Sequence, residues 1–213
     1  MEYKDEEILK AKKTIAEEKK QKESKKNLEK EAEESIYDEV VHIVGEEVHF
    51  TRRIIPELKV SIYMPECFFR FSDDVAKLLY PMGNTPSHIF GGQNINLQML
   101  LSQTTHQVPD SGMKEFVDVA AKLVDVMGPK VTIVEKRVEE KQNERGEAFH
   151  IGILSFVSRA VDTTAYNIQY YISMEGKILM GSVTFPSKYK KRLIPLANEV
   201  IGSIEIIREE SEE

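Results

Sequence analysis

Ser102, His106 and Asp110, spaced four apart, are the residues of this 213-residue chain that come nearest to a nucleophilic triad. A triad works by geometry, and its serine normally sits on a sharp elbow flanked by glycines. Ser102 instead follows the apolar run Met99-Leu100-Leu101 with no glycine beside it, so the regular spacing carries no such chemistry. The single thiol, Cys67, precedes Phe68 and Phe69. In that company a free cysteine is expected to be a small core hydrophobe. Histidines stand at 42, 49, 88, 106 and 150, in no metal-ligand pattern of the HExxH kind. His42 and His49 are expected to face each other across a hairpin as a polar pair, and two ligands do not make a transition-metal site. Gly91-Gly92 lacks the spacing of a phosphate loop and precedes a strand. The expectation is therefore no cofactor, no metal and no enzyme.

The charge distribution narrows the partners. The net charge is −7, but residues 1–39 hold 10 basic and 13 acidic side chains, and Arg-Glu-Glu-Ser-Glu-Glu closes the chain. Between these tails the chain is nearly neutral, without the broad basic face that nucleic acid requires. Lys188, Lys190, Lys191 and Arg192 form a local cluster at a helix start, against the helix dipole. That hints at an acidic partner, including the chain's own tails. No apolar run is long enough to span a bilayer, and the N-terminus has no apolar signal core. No membrane insertion and a cytoplasmic address are expected.

Residues 1–39 alternate weak apolar spacings with solid charge and are expected to be helical or disordered, a candidate for homo-oligomerisation or docking. Residues 40–207 are expected to form one domain, and 208–213 an acidic tail. Strands are expected at Val40–Val44 and Val48–Ile55 around Gly45-Glu46-Glu47, then at Val60–Met64. Ser72-Asp73-Asp74 opens a short helix, capped by Ser72 or Asp73, with Val75, Leu78 and Leu79 towards the core. Asn94–Leu101 alternates Ile95, Leu97, Met99 and Leu101 against Asn94, Asn96 and Gln98. Met113, Phe116, Val117, Ala120, Leu123, Val124 and Met127 make the apolar stripe of a long helix that Gly128-Pro129 ends. Strands over Lys130–Glu140, Ala148–Val161, Thr164–Met174 and Lys177–Phe185 follow as hairpins, and the second, apolar on both faces, is expected to be central. A last helix covers Ser187–Gly202, with a break or restart at Pro195. Adjacent hairpins rule against a parallel doubly wound sheet. The class is α+β: an antiparallel sheet of six or more strands flanked by helices, behind a charged helical or disordered segment.

In this order, the strand ending Met64-Pro65, the helix ending Tyr80-Pro81, the Asn94-Ile95-Asn96-Leu97 strand, the long helix and the four-strand meander carry a resemblance. The meander closes with Thr184-Phe185-Pro186, and the last helix finishes Ile201-Gly202-Ser203-Ile204. The chain resembles the PsbP-like fold family over about residues 55–207. That fold is shared by the photosystem II subunit PsbP, a Ran-binding nuclear import factor and bacterial DcrB-like proteins. The resemblance implies a non-enzymatic adaptor, chaperone or assembly factor that binds another protein. The charged N-terminal segment lies outside the shared fold.

Residues 78–109 contain no Asp, Glu, Lys or Arg. Charge depletion with aromatic and Met content marks the core of a protein interface. Tyr80, His88, Asn94, Asn96 and Gln98 are the candidate binding residues, with Asn167, Gln169 and Tyr171 extending the face from a neighbouring strand. The alternative is a small-molecule pocket, or a minor enzyme, between the sheet and the 82–92 loop, lined by Tyr80, His88 and Tyr171.

Overall fold

The computed structural model describes residues 34–81, 85–93, 95–127, 131–142, 146–159 and 163–207. The expected helix or tether in residues 1–39 lies outside them except for its last six residues, and so do Asn94 and the acidic tail.

Among the described residues, twelve strands and three α-helices follow one another. A hairpin, β1 (Val41–Ile43) and β2 (Glu46–Val48), leads into β3 (Phe50–Ile55), β4 (Val60–Pro65) and the two-residue β5 (Phe69–Arg70). Helix α1 (Asp73–Leu79), β6 (His88–Gly91), β7 (Gln98–Gln107) and helix α2 (Met113–Met127) come next. The meander is β8 (Thr132–Gln142), β9 (Ala148–Arg159), β10 (Thr164–Met174) and β11 (Lys177–Pro186); helix α3 (Lys190–Gly202) and β12 (Glu205–Ile206) close the chain. The α+β class is as expected. The main sheet has seven strands in the order β5-β6-β7-β11-β10-β9-β8, and every pairing in it is antiparallel.

The period-2 patterns decide what lies on each face. Tyr166, Ile168, Tyr170 and Ile172 of β10, with Ile151 and Ile153 of β9, point into the larger core. There they meet Ile62 and Met64 of β4 and the buried side of α3, Leu193, Leu196, Ala197, Val200 and Ile201. A three-stranded sheet, β12-β4-β3, completes this layer. On the opposite face Leu154, Phe156 and Tyr171 pack under Met113, Val117 and Ala121 of α2. Gly152 makes that approach close: a Cβ there would collide with Val117 Cγ2 and Met113 Sδ. Gly181 is covered in the same way by the Tyr170 ring, its cross-strand partner on the core side. The α2 start is tied to β9 through Asp110, whose carboxylate accepts the His150 backbone N–H at 2.9 Å and pairs with His150 Nδ1.

The residues just before β1 are already packed. Ile36 is in the core, and its N–H donates to Glu199 of α3 at 2.8 Å. Glu34 accepts from Arg192 Nη2 at 2.6 Å and from the His42 N–H at 2.7 Å. The basic cluster at the start of the last helix thus has one acidic partner in the chain's own N-terminal segment.

Several expectations are corrected. The first turn is Val44-Gly45, both at positive φ, the two-residue form that matches strand twist. It sets His42 opposite Glu47, while His49 bonds the Glu39 carbonyl, so the two histidines are not a pair. Cys67 is exposed, because the turn closed by Phe68 N–H to Pro65 C=O turns Phe68 inward instead. In α1 only Ala76 is buried; Val75, Leu78 and Leu79 face out, Leu78 at 80% exposure. That helix follows the shortest edge strand and has little to cover. Leu123 is likewise 56% exposed, and Ala121 takes the core position instead. Strand β9 is next to the edge, not central; it is apolar on both faces because α2 lies over that side of the sheet. Pro195 does not interrupt α3; the carbonyl it orphans belongs to exposed Lys191, which water can satisfy.

His88 is a further correction. The loop expected at 82–92 contains strand β6, whose pairing sets His88 against Leu101 on the core side of the sheet, 4% exposed. Its Nδ1 is 2.9 Å from Ser87 Oγ, and Nε2 is buried 3.7 Å from Glu57. Burial, with the Arg70 guanidinium, holds its pKa below the usual 6.5, against the opposing pull of Glu57.

Three measurements test this packing. Tyr170 OH is fully buried without a hydrogen-bond partner among the described residues, and an unsatisfied hydroxyl opposes folding. Tyr170→Phe should therefore leave the thermal midpoint unchanged or raise it; a clear drop would contradict the packing. Gly152→Val should cost about 1–3 kcal/mol by pushing α2 off the sheet, read by urea unfolding. Because native His88 binds its proton more weakly than the unfolded chain, stability should fall as pH drops below about 6.5. His88→Gln should flatten that slope, and equal slopes would refute the assignment.

Candidate binding face

Helix α2 covers only part of its side of the sheet. Phe116 meets the Tyr171 ring edge-on at 5.2 Å, over β10, while Asp118 pairs with Lys136 of β8. Residues three and seven beyond Phe116 share its side of a helix. Val119 and Leu123 therefore lean towards β10 and β11, both more than half exposed. The apolar residues that the periodicity assigned partly to the core thus form a wall beside the open sheet.

The cross-strand register builds the floor. Gln98, Thr184 and Asn167 form one row across β7, β11 and β10. Leu100, Ser182 and Gln169 form the next, and Ser102, Met180 and Tyr171 the third. No side chain in these rows is charged. Thr184 Oγ1 donates to Asn167 Oδ1 at 3.1 Å, and Asn167 Nδ2 donates to Ser158 Oγ at 3.0 Å, which fixes the amide. Tyr171 OH donates to Gln169 Oε1 at 2.6 Å, and burial raises its pKa well above the ordinary phenol value. Two concavities lie along this floor. A small one of about 50 Å³ is lined by Pro86, Leu100, Ser102, Gln169, Met180 and Ser182, among others. A wider, open one of about 310 Å³ lies at the sheet end, where Phe71, Ile95, Asn96, Gln98, Thr184 and Pro186 are among its lining residues.

The expected face is assembled in part. Gln98, Asn167, Gln169 and Tyr171 share one face, with Tyr171 mostly under α2. Asn96 precedes β7, because the strand starts at Gln98 rather than Asn94, but it still lines the wide cavity. Asn94 lies outside the described residues. His88 belongs to the other face, so Tyr80, His88 and Tyr171 do not line one pocket; Tyr80 sits half-buried at the end of α1, its phenol pKa raised by burial. Ser102 is on the floor, and Asp110 is engaged by His150. The floor residues that sequence reasoning missed include Leu100 of β7 and, from β11, Met180, Ser182 and Thr184. The signal for the last three was the alternation of β11, where Leu179, Val183 and Phe185 take the buried side.

What this arrangement can do is bind. Its amides and hydroxyls make hydrogen bonds, its methionine and leucine bury apolar area, and no charge has to be desolvated. Among the described residues no group of three or more His, Cys, Asp or Glu could hold a metal, and no helix is long and apolar enough to cross a membrane.

The sequence matches no protein-family model and no curated protein. Solved structures do match. Cyanobacterial PsbP (CyanoP) from Synechocystis sp. PCC 6803 superposes with a TM-score of 0.50 at 9% identity, over 74% of this chain and 92% of that one. LpqN, involved in cell envelope biogenesis of Mycobacterium tuberculosis, gives 0.48 at 9% identity, over 78% and 98%. A protein of unknown function from Pseudomonas aeruginosa gives 0.43 at 11%, over 76% and 99%. At such identities the likeness is one of architecture, and in architecture the chain has the PsbP-like fold.

Proposed function

We propose that this protein is a non-enzymatic interaction module, an adaptor, chaperone or assembly factor, that holds a protein partner in the trough beside α2. The observation that carries this reading is the uncharged floor over three strands, walled by exposed Val119 and Leu123. On a surface in contact with water alone, charged side chains are the ordinary occupants. The recognised segment is itself uncharged, since a charged one would be desolvated against a floor that offers no counter-ion.

The test places charge on the floor. Asn96→Lys with Gln98→Lys, on the surface of the wide cavity, should abolish capture of the partner from the source cell while leaving the circular dichroism spectrum and thermal midpoint unchanged. Undiminished capture of the same protein would refute the reading. If the wide cavity instead takes a small molecule, a compound library should raise the thermal midpoint, as ligand binding to the native state requires, and the lysine pair should erase that rise.

A further inference from the structure

Strand β8 ends the main sheet, so one edge of its eleven residues has no strand beside it among the described residues. Proteins usually guard a long edge with charge, which repels any strand that approaches. The charges of β8 follow a particular pattern. From 135 to 141 the residues are Glu, Lys, Arg, Val, Glu, Glu and Lys, in signs minus, plus, plus, zero, minus, minus, plus. Read backwards, every sign is inverted.

That inversion has one geometric consequence. Two copies of the strand, laid antiparallel about a two-fold axis through Val138, place Arg137 opposite Glu139, Lys136 opposite Glu140 and Glu135 opposite Lys141. Each pair occurs twice, and Val138 faces Val138. Directly opposed residues on antiparallel strands have Cβ atoms about 4.5–5.5 Å apart, within reach of these side chains, and opposite charges there attract. Sliding the register by two residues in one direction sets Glu135 against Glu139; sliding it in the other sets Arg137 against Lys141. Only the register centred on Val138 is free of like-charge pairs in this segment. We infer that β8 is a self-recognition edge, through which a second copy of this chain adds its own β8 and continues the sheet.

The rest of the strand is consistent with this. The register shift in β8 falls between Ile133 and Glu135, so the stretch from 135 onwards pairs regularly with β9 and is straight enough to accept a partner. Lys136, Val138 and Glu140 lie on the α2 face, and Glu135, Arg137, Glu139 and Lys141 on the α3 face, each set meeting its own kind across the axis. The side chains are already held upright. Lys136 is paired with Asp118, Arg137 lies between Glu135 and Glu139 and donates to Asn198 at 3.0 Å, and Lys141 donates to the Gly202 carbonyl. Arg137 of one copy then extends its carboxylate cluster to Glu139 of the other. The two-fold axis keeps both α2 helices on one side of the joined sheet, and the trough stays open, because its wall faces away from β8.

The full chain should show a monomer–dimer equilibrium by sedimentation, weaker at high salt because exposed pairs are screened. Lys136→Glu alone, or Glu140→Lys alone, creates two like-charge pairs per dimer and should raise the dissociation constant about tenfold or more. The double variant Lys136→Glu with Glu140→Lys restores opposite charges in the same register and should return the constant close to the wild-type value. A wild-type chain that stays monomeric overturns the inference. So does a dimer that neither single variant weakens, as one built through residues 1–39 would be, and so does a double variant no better than the singles.

Discussion

One helix is too narrow for the sheet beneath it. An α-helix with its side chains is about 10–12 Å across, and neighbouring strands are about 4.8 Å apart, so one helix shields two or three strands. The main sheet has seven. On the core side α3 and the small sheet together cover β7, β11, β10 and β9, whose faces there are mainly aliphatic and aromatic. On the other side, among the described residues, α2 stands alone over β8, β9 and part of β10. The composition of each strand follows from which part of this unequal cover it lies under. Leu154 and Phe156 are under the helix; Asn167, Gln169, Ser182 and Thr184 are beyond it.

The backbone shape under α2 sharpens that division. Gly152 lets the helix settle onto β9, with Met113 and Val117 against the sheet itself. A helix set so low contacts few strands closely and leaves a step at its flank. That step, topped by Val119 and Leu123, gives the open floor a side and so makes it a trough. On the core side Tyr170 fills the space above Gly181, so the strand that lacks a side chain there gains a ring from its neighbour.

Most of the framework was legible in the sequence, because it rests on local periodicity. The meander, α2, α3 and the polar-against-apolar alternation of β10 all follow from residues two or four apart. What was not legible depends on distant neighbours. Leu78, Val75 and Leu123 have core spacing, yet among the described residues all three stay exposed. Strand β6 was hidden because His88-Ile89-Phe90-Gly91 is short and set among turn residues, and its pairing with β7 decides which way His88 points. The candidate face was half legible: the absence of charge over 78–109 marked one strand, and Asn167 and Gln169 marked another. That β11 lies between them follows only from the strand order, which no local pattern encodes.

The anchorage of the N-terminal segment has a mechanical side. Glu34 is held by Arg192, the Ile36 amide by Glu199, and the Ile36 side chain lies in the main core. A pull on the preceding residues therefore does not start by peeling β1 from β2, a hairpin of only three residue pairs. It loads ion pairs and buried contacts on α3 at the same moment, and α3 passes the load to the wide sheet through Leu193 and Leu196. Elements loaded together in shear resist far better than a hairpin opened one rung at a time. A load arriving at Glu34 and Ile36 is thus carried to the centre of the fold rather than to its rim.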